Sequence, residues 1–302
     1  MRPSPFFPLA LGLLLSGFAG GSASAQVGEL PGQVSARIAP PAPVPFGPGE
    51  LLTYKVKVGF FEVGRGHMQV EGLEEIRGHT TYRVSMGIEG GLWWYDLTDL
   101  FRSWFDVEDL VGRRFVKDQD ENGKLRYEHW EFFPEERRYE RVDKDEKGEI
   151  PTSEPLDDIS FLYYARTLPL EVGDEYVLNR YYTERGNPVV LRVLRKDTVE
   201  VPAGTFETIV VRPIIQTRGL FGQGGEAEVH FTDDDRRLMV YMRAKVPILG
   251  SLTLHLRTIT EGRPLRAPGG EARDARATSS GGNPGVHSPG VPLPGVLSPG
   301  GT

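Results

Sequence analysis

Residues 51–58 read LLTYKVKV, with Leu52, Tyr54, Val56 and Val58 alternating with Thr53, Lys55 and Lys57. Successive side chains of a strand point to opposite faces, so this pattern buries one face and wets the other. The same period returns downstream. Tyr82, Val84, Met86 and Ile88 alternate with Arg83, Ser85 and Gly87, and residues 189–193, 208–214, 227–231 and 252–256 repeat it. Turn signals fall between the runs at hairpin spacing: Asn122-Gly123, Lys147-Gly148, Gly186-Asn187 and Ala203-Gly204. About eleven to thirteen strands joined by short turns predict an antiparallel meander rather than a parallel α/β sheet. One segment breaks the rhythm. In residues 157–166, DDISFLYYAR, an acidic N-cap precedes apolar residues at helical spacing, and Pro169 follows. This predicts a three-turn helix over 157–167 lying against the sheet, with Ile159, Leu162 and Tyr163 covering apolar surface. The expected fold is therefore mainly β: a large curved antiparallel sheet, a half-barrel of the β-clam kind, with one short α-helix. A closed barrel and a folded-over sheet share this period.

The folded segment predicted in this way is 50–262, and both flanks differ from it. Residues 1–25 combine Arg2, an apolar run from Phe6 to Phe18 and Ala23-Ser24-Ala25. These are the charged, hydrophobic and cleavage regions of a signal peptide, too short to anchor in a bilayer. They predict export to the periplasm or beyond, with Gln26 as the mature N-terminus. Residues 26–49 read as a proline-rich linker. Residues 263–302 hold 7 prolines and 9 glycines in 40 positions, too little apolar surface to offset the entropy of ordering, and are expected to be disordered.

The chain has 302 residues and a net charge of −7. The tail carries +2 and the leader +1, so the segment between them carries −10. Such a balance argues against nucleic acid as a partner, which calls for a basic stripe. There is no cysteine, which excludes disulfides, thiol nucleophiles, cysteine-ligated metals and an acylated lipoprotein N-terminus. No later stretch approaches eighteen apolar residues, so the mature chain is not expected to span a membrane.

Several segments together resemble the bacterial envelope family called domain of unknown function 3108. They are Gly49-Glu50-Leu51-Leu52-Thr53-Tyr54, the Gly64-Arg65-Gly66 turn, residues 158–166 (DISFLYYAR), Val201-Pro202-Ala203-Gly204-Thr205-Phe206, and residues 231–238 (FTDDDRRL). The resemblance spans roughly 48–260. It implies export and an antiparallel β architecture, and it carries no catalytic residue and no cofactor to this chain.

Motifs that carry chemistry are sparse. Residues 143–154 and the stretch from Asp118 to Asn122 imitate calcium loops, but Lys147 occupies a ligand position in the first and His129 closes the second, and strands rather than helices flank both. They read as acidic hairpin turns. Gly222-Gln223-Gly224-Gly225-Glu226-Ala227 fits a dinucleotide fingerprint without the helix that fingerprint needs, and reads as a hairpin tip displaying Leu220 and Phe221. The six histidines are scattered singly. Asp96, Asp99 and Asp106 near Trp93, Trp94 and Trp104 suggest paired carboxylates beside aromatic platforms, as in a glycosidase.

Aromatic density is the strongest residue-level signal. Trp93, Trp94, Tyr95, Phe101, Trp104 and Phe105 crowd one stretch, and Tyr127, Trp130, Phe132 and Phe133 the next. Apolar groups on both faces of a strand are covered on both sides or line a cavity. The leading expectation is an exported, non-enzymatic protein holding an apolar or amphiphilic ligand in a groove lined by Trp93, Trp94, Trp104, Trp130, Phe132, Tyr163 and Tyr164. The second is a protein–protein module of the envelope that pairs by a strand edge or through Leu220 and Phe221. The third is a carbohydrate hydrolase using Asp96 or Asp99.

Overall fold

A computed structural model describes residues 44–92, 95–215, 227–246 and 250–265. The predicted signal peptide, residues 26–43 of the linker, Trp93, Trp94, the tip with Leu220 and Phe221, and the tail beyond 265 lie outside the described residues. In chain order the elements are β1 (Leu51–Val58), β2 (Phe61–Ile76), β3 (His79–Leu92), β4 (Tyr95–Asp106), β5 (Gly112–Glu121), β6 (Lys124–Phe133), β7 (Arg138–Arg141) and β8 (Glu146–Glu149). Helix α1 (Asp158–Ala165) follows, then β9 (Glu175–Leu178), β10 (Val189–Val201), β11 (Gly204–Ile214), β12 (Glu228–Thr232), β13 (Met239–Val246) and β14 (Gly250–Thr260).

The fourteen strands among the described residues form one antiparallel sheet in the order β8-β7-β6-β5-β4-β3-β2-β1-β14-β13-β12-β11-β10-β9. The chain thus enters and leaves at the middle of the sheet, where β1 pairs with β14, and two wings grow outward. The count exceeds the sequence expectation because β7, β8 and β9 are four residues each, too short for alternation to reveal.

The two outer strands, β8 and β9, are consecutive in the chain, so one connection must run from edge to edge. The sheet curls to allow it. Leu156 bridges to Tyr181 just beyond β9, with its N–H donating to the Arg180 carbonyl at 2.5 Å, while the Gly112 N–H of β5 donates to the Pro155 carbonyl at 2.7 Å. The curl remains open, since the two outer strands do not pair with each other. Register shifts at Val70/Gly72, Trp104/Phe105 and Val193/Arg195 add local bend to the natural twist. Gly64 and Gly90 face each other across β2 and β3, and a Cβ on either would lie 2.2 Å from the opposing strand's carbonyl oxygen.

Helix α1 lies inside the curl. Every residue from Ile159 to Ala165 is buried, and a short helix that is apolar all round needs a partner on all sides. It has eight residues rather than the predicted three turns. Asp157 caps its start in a reciprocal capping box with Ser160, and it ends at Arg166, where the Thr167 hydroxyl donates to the Tyr164 carbonyl at 2.8 Å. The helix is therefore a wedge in the core, not a lid on a face. The folded unit also begins earlier than residue 50 and runs past 262. Val44 and Phe46 are buried, the Arg263 N–H donates to the Pro48 carbonyl, and Leu265 packs against the core. Proline-rich composition hid two apolar residues that have a place to go.

Candidate functional site

Five of the seven residues expected to line a groove are described, and they do not share a face. Tyr163 packs within ring-contact distance of Phe46 (4.9 Å) and Phe105 (5.8 Å). Trp130 and Phe132, on β6, meet Tyr182 at 5.1 and 5.5 Å, closing one wing against the chain beyond β9. The Arg180 guanidinium lies over the Tyr164 ring at 4.5 Å. These four rings are spent on packing the concave side. Trp104 faces the other way. Its indole N–H donates to Glu74 at 2.9 Å, and the guanidinium groups of Arg83 and Arg114, its cross-strand neighbours, lie over its ring at 5.8 and 5.3 Å.

Three of the five segments that carry the family resemblance, 49–54, 158–166 and 231–238, converge inside, whereas Gly64-Arg65-Gly66 is part of β2 rather than a turn. Arg166, at the end of α1, is fully buried and forks onto Glu50 through Nη1 at 2.5 Å and Nη2 at 2.8 Å. Its Nη2 also donates to the Arg236 carbonyl at 3.1 Å. Tyr54 donates its hydroxyl to the Met239 carbonyl at 3.0 Å. The helix, the first strand and the turn before β13 are thereby clasped at one point. At the other end of α1, Asp157 accepts from the backbone N–H groups of Ile159 and Ser160 and from the Ser103 hydroxyl, and burial still pushes its carboxyl up to about 6. Asp158 accepts from Lys117 at 3.1 Å and Tyr181 at 2.6 Å. Most of these polar atoms are engaged by one another or by backbone groups, which suits holding a helix in place, though the buried Arg166 Nε has no partner among the described residues. The sequence does not pair Glu50 with Arg166, which are 116 positions apart; their shared membership of the resembling segments is the one signal by which they could have been singled out.

Asp96 and Asp99 fall on opposite faces, as a spacing of three on a strand requires. Asp99 is buried on the concave side, where Gln119 donates to it at 3.0 Å. Burial, assisted by the charge of Glu121, pushes its carboxyl up to about 6. Asp96 lines an open polar cleft of about 810 Å³ on the convex side with Glu62, Arg65, Glu89, Thr98 and Arg257. Asp106 is bound by Arg113 at 2.7 Å. The three do not assemble around one point. The second calcium-like stretch is the β5–β6 hairpin turn, whereas residues 143–154 begin in the β7–β8 turn and run through β8, so Lys147-Gly148 is strand and not turn. Asn122 and Gly123 both take positive φ, as a type I′ turn requires. Asp143 is held by Arg141 through two hydrogen bonds, which against the cost of burial keep its carboxyl at about 2.

Exposed apolar side chains concentrate elsewhere. In an antiparallel meander alternate connections share an end, so the β1–β2, β3–β4 and β5–β6 connections lie together. At that end Phe60 is 100% exposed, Phe61 67%, Leu125 78% and Tyr127 54%.

Fold and site together define a β-sheet scaffold curled around its own helix. The DUF3108 family model, described as a protein of unknown function, matches residues 53–257, and the chain belongs to that family. No curated protein matches it. Among solved structures it is similar to a beta-barrel-like protein of domain of unknown function DUF1849 from Brucella abortus, at 7% identity over 72% of this chain and 99% of that one, with a TM-score of 0.47. It is also similar to a hypothetical protein of Chlamydia trachomatis, at 8% identity over 73% and 91% of the respective chains, with a TM-score of 0.32. No described helix is long and apolar enough to cross a membrane.

Proposed function

We propose that this chain is an exported, non-enzymatic envelope protein that binds an amphiphilic component, and that it does so at the hairpin end of the sheet. The leader pattern of residues 1–25 supports export. The carrying observation is where apolar surface is left over. The concave side is filled by α1 and by rings in mutual contact, so a ligand there would have to displace the helix. Phe60 and Phe61 remain exposed side by side at the β1–β2 turn, with Leu125 and Tyr127 four strands away at the same end, and contiguous apolar exposure such as the first pair marks binding surfaces.

Native mass spectrometry tests this on protein recovered from the periplasm without detergent, followed by organic extraction. The expected result is a polypeptide starting at Gln26 with an amphiphile that dissociates on extraction. A clean apo mass, together with no association with any added amphiphile, rejects the reading. A strand-edge module is the second reading, favoured by the open outer edges of β8 and β9. Both are four residues long and β8 reads Glu-Lys-Gly-Glu, and short charged edges discourage pairing.

A further inference from the structure

The turn between β1 and β2 presents Phe60 and Phe61 to solvent, 100% and 67% exposed, although phenylalanine is among the residues most often buried. Nothing described packs on Phe60. The strands beneath it carry cations on the convex face: Lys55 and Lys57 on β1, Arg65 on β2 and Arg257 on β14. Two of these are already committed. Lys55 pairs with Glu62 at 2.9 Å and Arg65 with Glu89. Lys57 and Arg257 pair directly with no carboxylate among the described residues and act on Glu62 only through space. An aromatic tip thus projects over four cations and the carboxylates of Glu62, Glu89 and Asp96, a patch with a small positive excess, from a segment whose overall balance is strongly acidic.

That combination complements an anionic lipid surface. We propose that the β1–β2 hairpin docks the protein on an anionic phospholipid bilayer, with Phe60 and Phe61 entering the headgroup boundary and Lys57 and Arg257 meeting lipid phosphates. Aromatic rings are favoured at that depth, and nearby lysine and arginine add attraction to anionic lipid. Charges more than about 8 Å away are largely screened at physiological salt, so the distant acidic groups do not cancel the contact, and what opposes it locally is Glu62, Glu89 and Asp96. The inference rests on the reading above and sharpens it: the amphiphile is the assembled bilayer itself.

Vesicle sedimentation tests it, with protein recovered from the periplasm and vesicles of phosphatidylglycerol and phosphatidylcholine or of phosphatidylcholine alone. The wild type should sediment with the anionic vesicles and be released by salt. Phe60→Ser with Phe61→Ser should weaken partitioning at least about tenfold, because two exposed rings no longer leave water. Lys57→Glu with Arg257→Glu should remove the preference for anionic vesicles. The phenylalanine variant should keep the wild-type unfolding temperature, since neither ring is part of the core, and the charge-reversed variant should lose less than about 1 kcal/mol, its new carboxylates facing Glu62 at an exposed site. No sedimentation of the wild type, or equal sedimentation of the phenylalanine variant, overturns docking by this hairpin. A lipid adduct in detergent-free protein that ignores vesicles also overturns docking while leaving amphiphile binding intact; absence of both sinks both.

Discussion

Arg166 with Glu50 and Arg192 with Glu175 are the same pair of functional groups in opposite surroundings. The first has an N–O distance of 2.5 Å and side chains 0% and 4% exposed; the second has 2.6 Å and 52% and 33%. Distance alone would rank them equal. Removing Arg166 leaves a buried carboxylate without its counter-charge and unfastens α1 from β1, whereas removing Arg192 returns Glu175 to water. Arg166→Ala should therefore cost about 3–5 kcal/mol, and Arg192→Ala less than about 1 kcal/mol, in urea unfolding at neutral pH. Replacing both members of the inner pair with apolar residues, Glu50→Leu with Arg166→Met, should recover most of the loss, since two uncharged groups carry no desolvation cost. Equal losses at the two sites would mean that water reaches the inner pair.

The same contrast holds for carboxylates. Asp143 sits against Arg141 and is held at about 2, while Asp99 has one amide donor and the repulsion of Glu121 and is raised to about 6. A carboxyl that titrates higher in the folded protein binds its proton more tightly there. Its contribution to stability is complete below the ordinary value of 3.8 and is lost as pH rises through about 6. Asp99→Asn keeps an acceptor for Gln119 and removes the charge. It should raise stability by about 1–2 kcal/mol at pH above 7, with no gain at pH near 4. Unfolding midpoints across that interval check it, and a gain that does not depend on pH would show that packing, not charge, is responsible.

The fold was legible where alternation was long. The runs in β1, β3, β10 and β14 report a half-buried sheet directly, and Asn122-Gly123 announces its turn. The wedge position of α1 was not legible, because residues 158–165 read equally as a helix on a surface and a helix in a core until the sheet was known to curl around them. The curl depends on a long-range fact, that the two outermost strands are consecutive in the chain, which no local pattern encodes. The aromatic stretch misled for a related reason. Trp104 and Phe105 are adjacent, so they must face opposite sides, and only Phe105 joins the concave core. Phe60 and Phe61 carried no periodic signal, being a turn and the first position of a strand.

Tyr163 gives the finest discrimination between a groove and a filled core. Its ring is fully buried between Phe46 and Phe105, yet its hydroxyl has no hydrogen-bond partner among the described residues. Burial drives that hydroxyl well above its usual titration range, with Glu50 adding to the effect. A buried hydroxyl without a partner is a net cost, whereas the ring that carries it contributes packing. Tyr163→Phe should therefore be neutral or stabilise by up to about 1 kcal/mol, and Tyr163→Ala should destabilise by about 3–5 kcal/mol as a cavity opens beside the helix. The two substitutions separate the oxygen from the ring. Were Tyr163→Phe to cost as much as a lost hydrogen bond, the hydroxyl would be engaged by a water or a bound polar group inside the curl, and the concave side would again be a place where a ligand can sit.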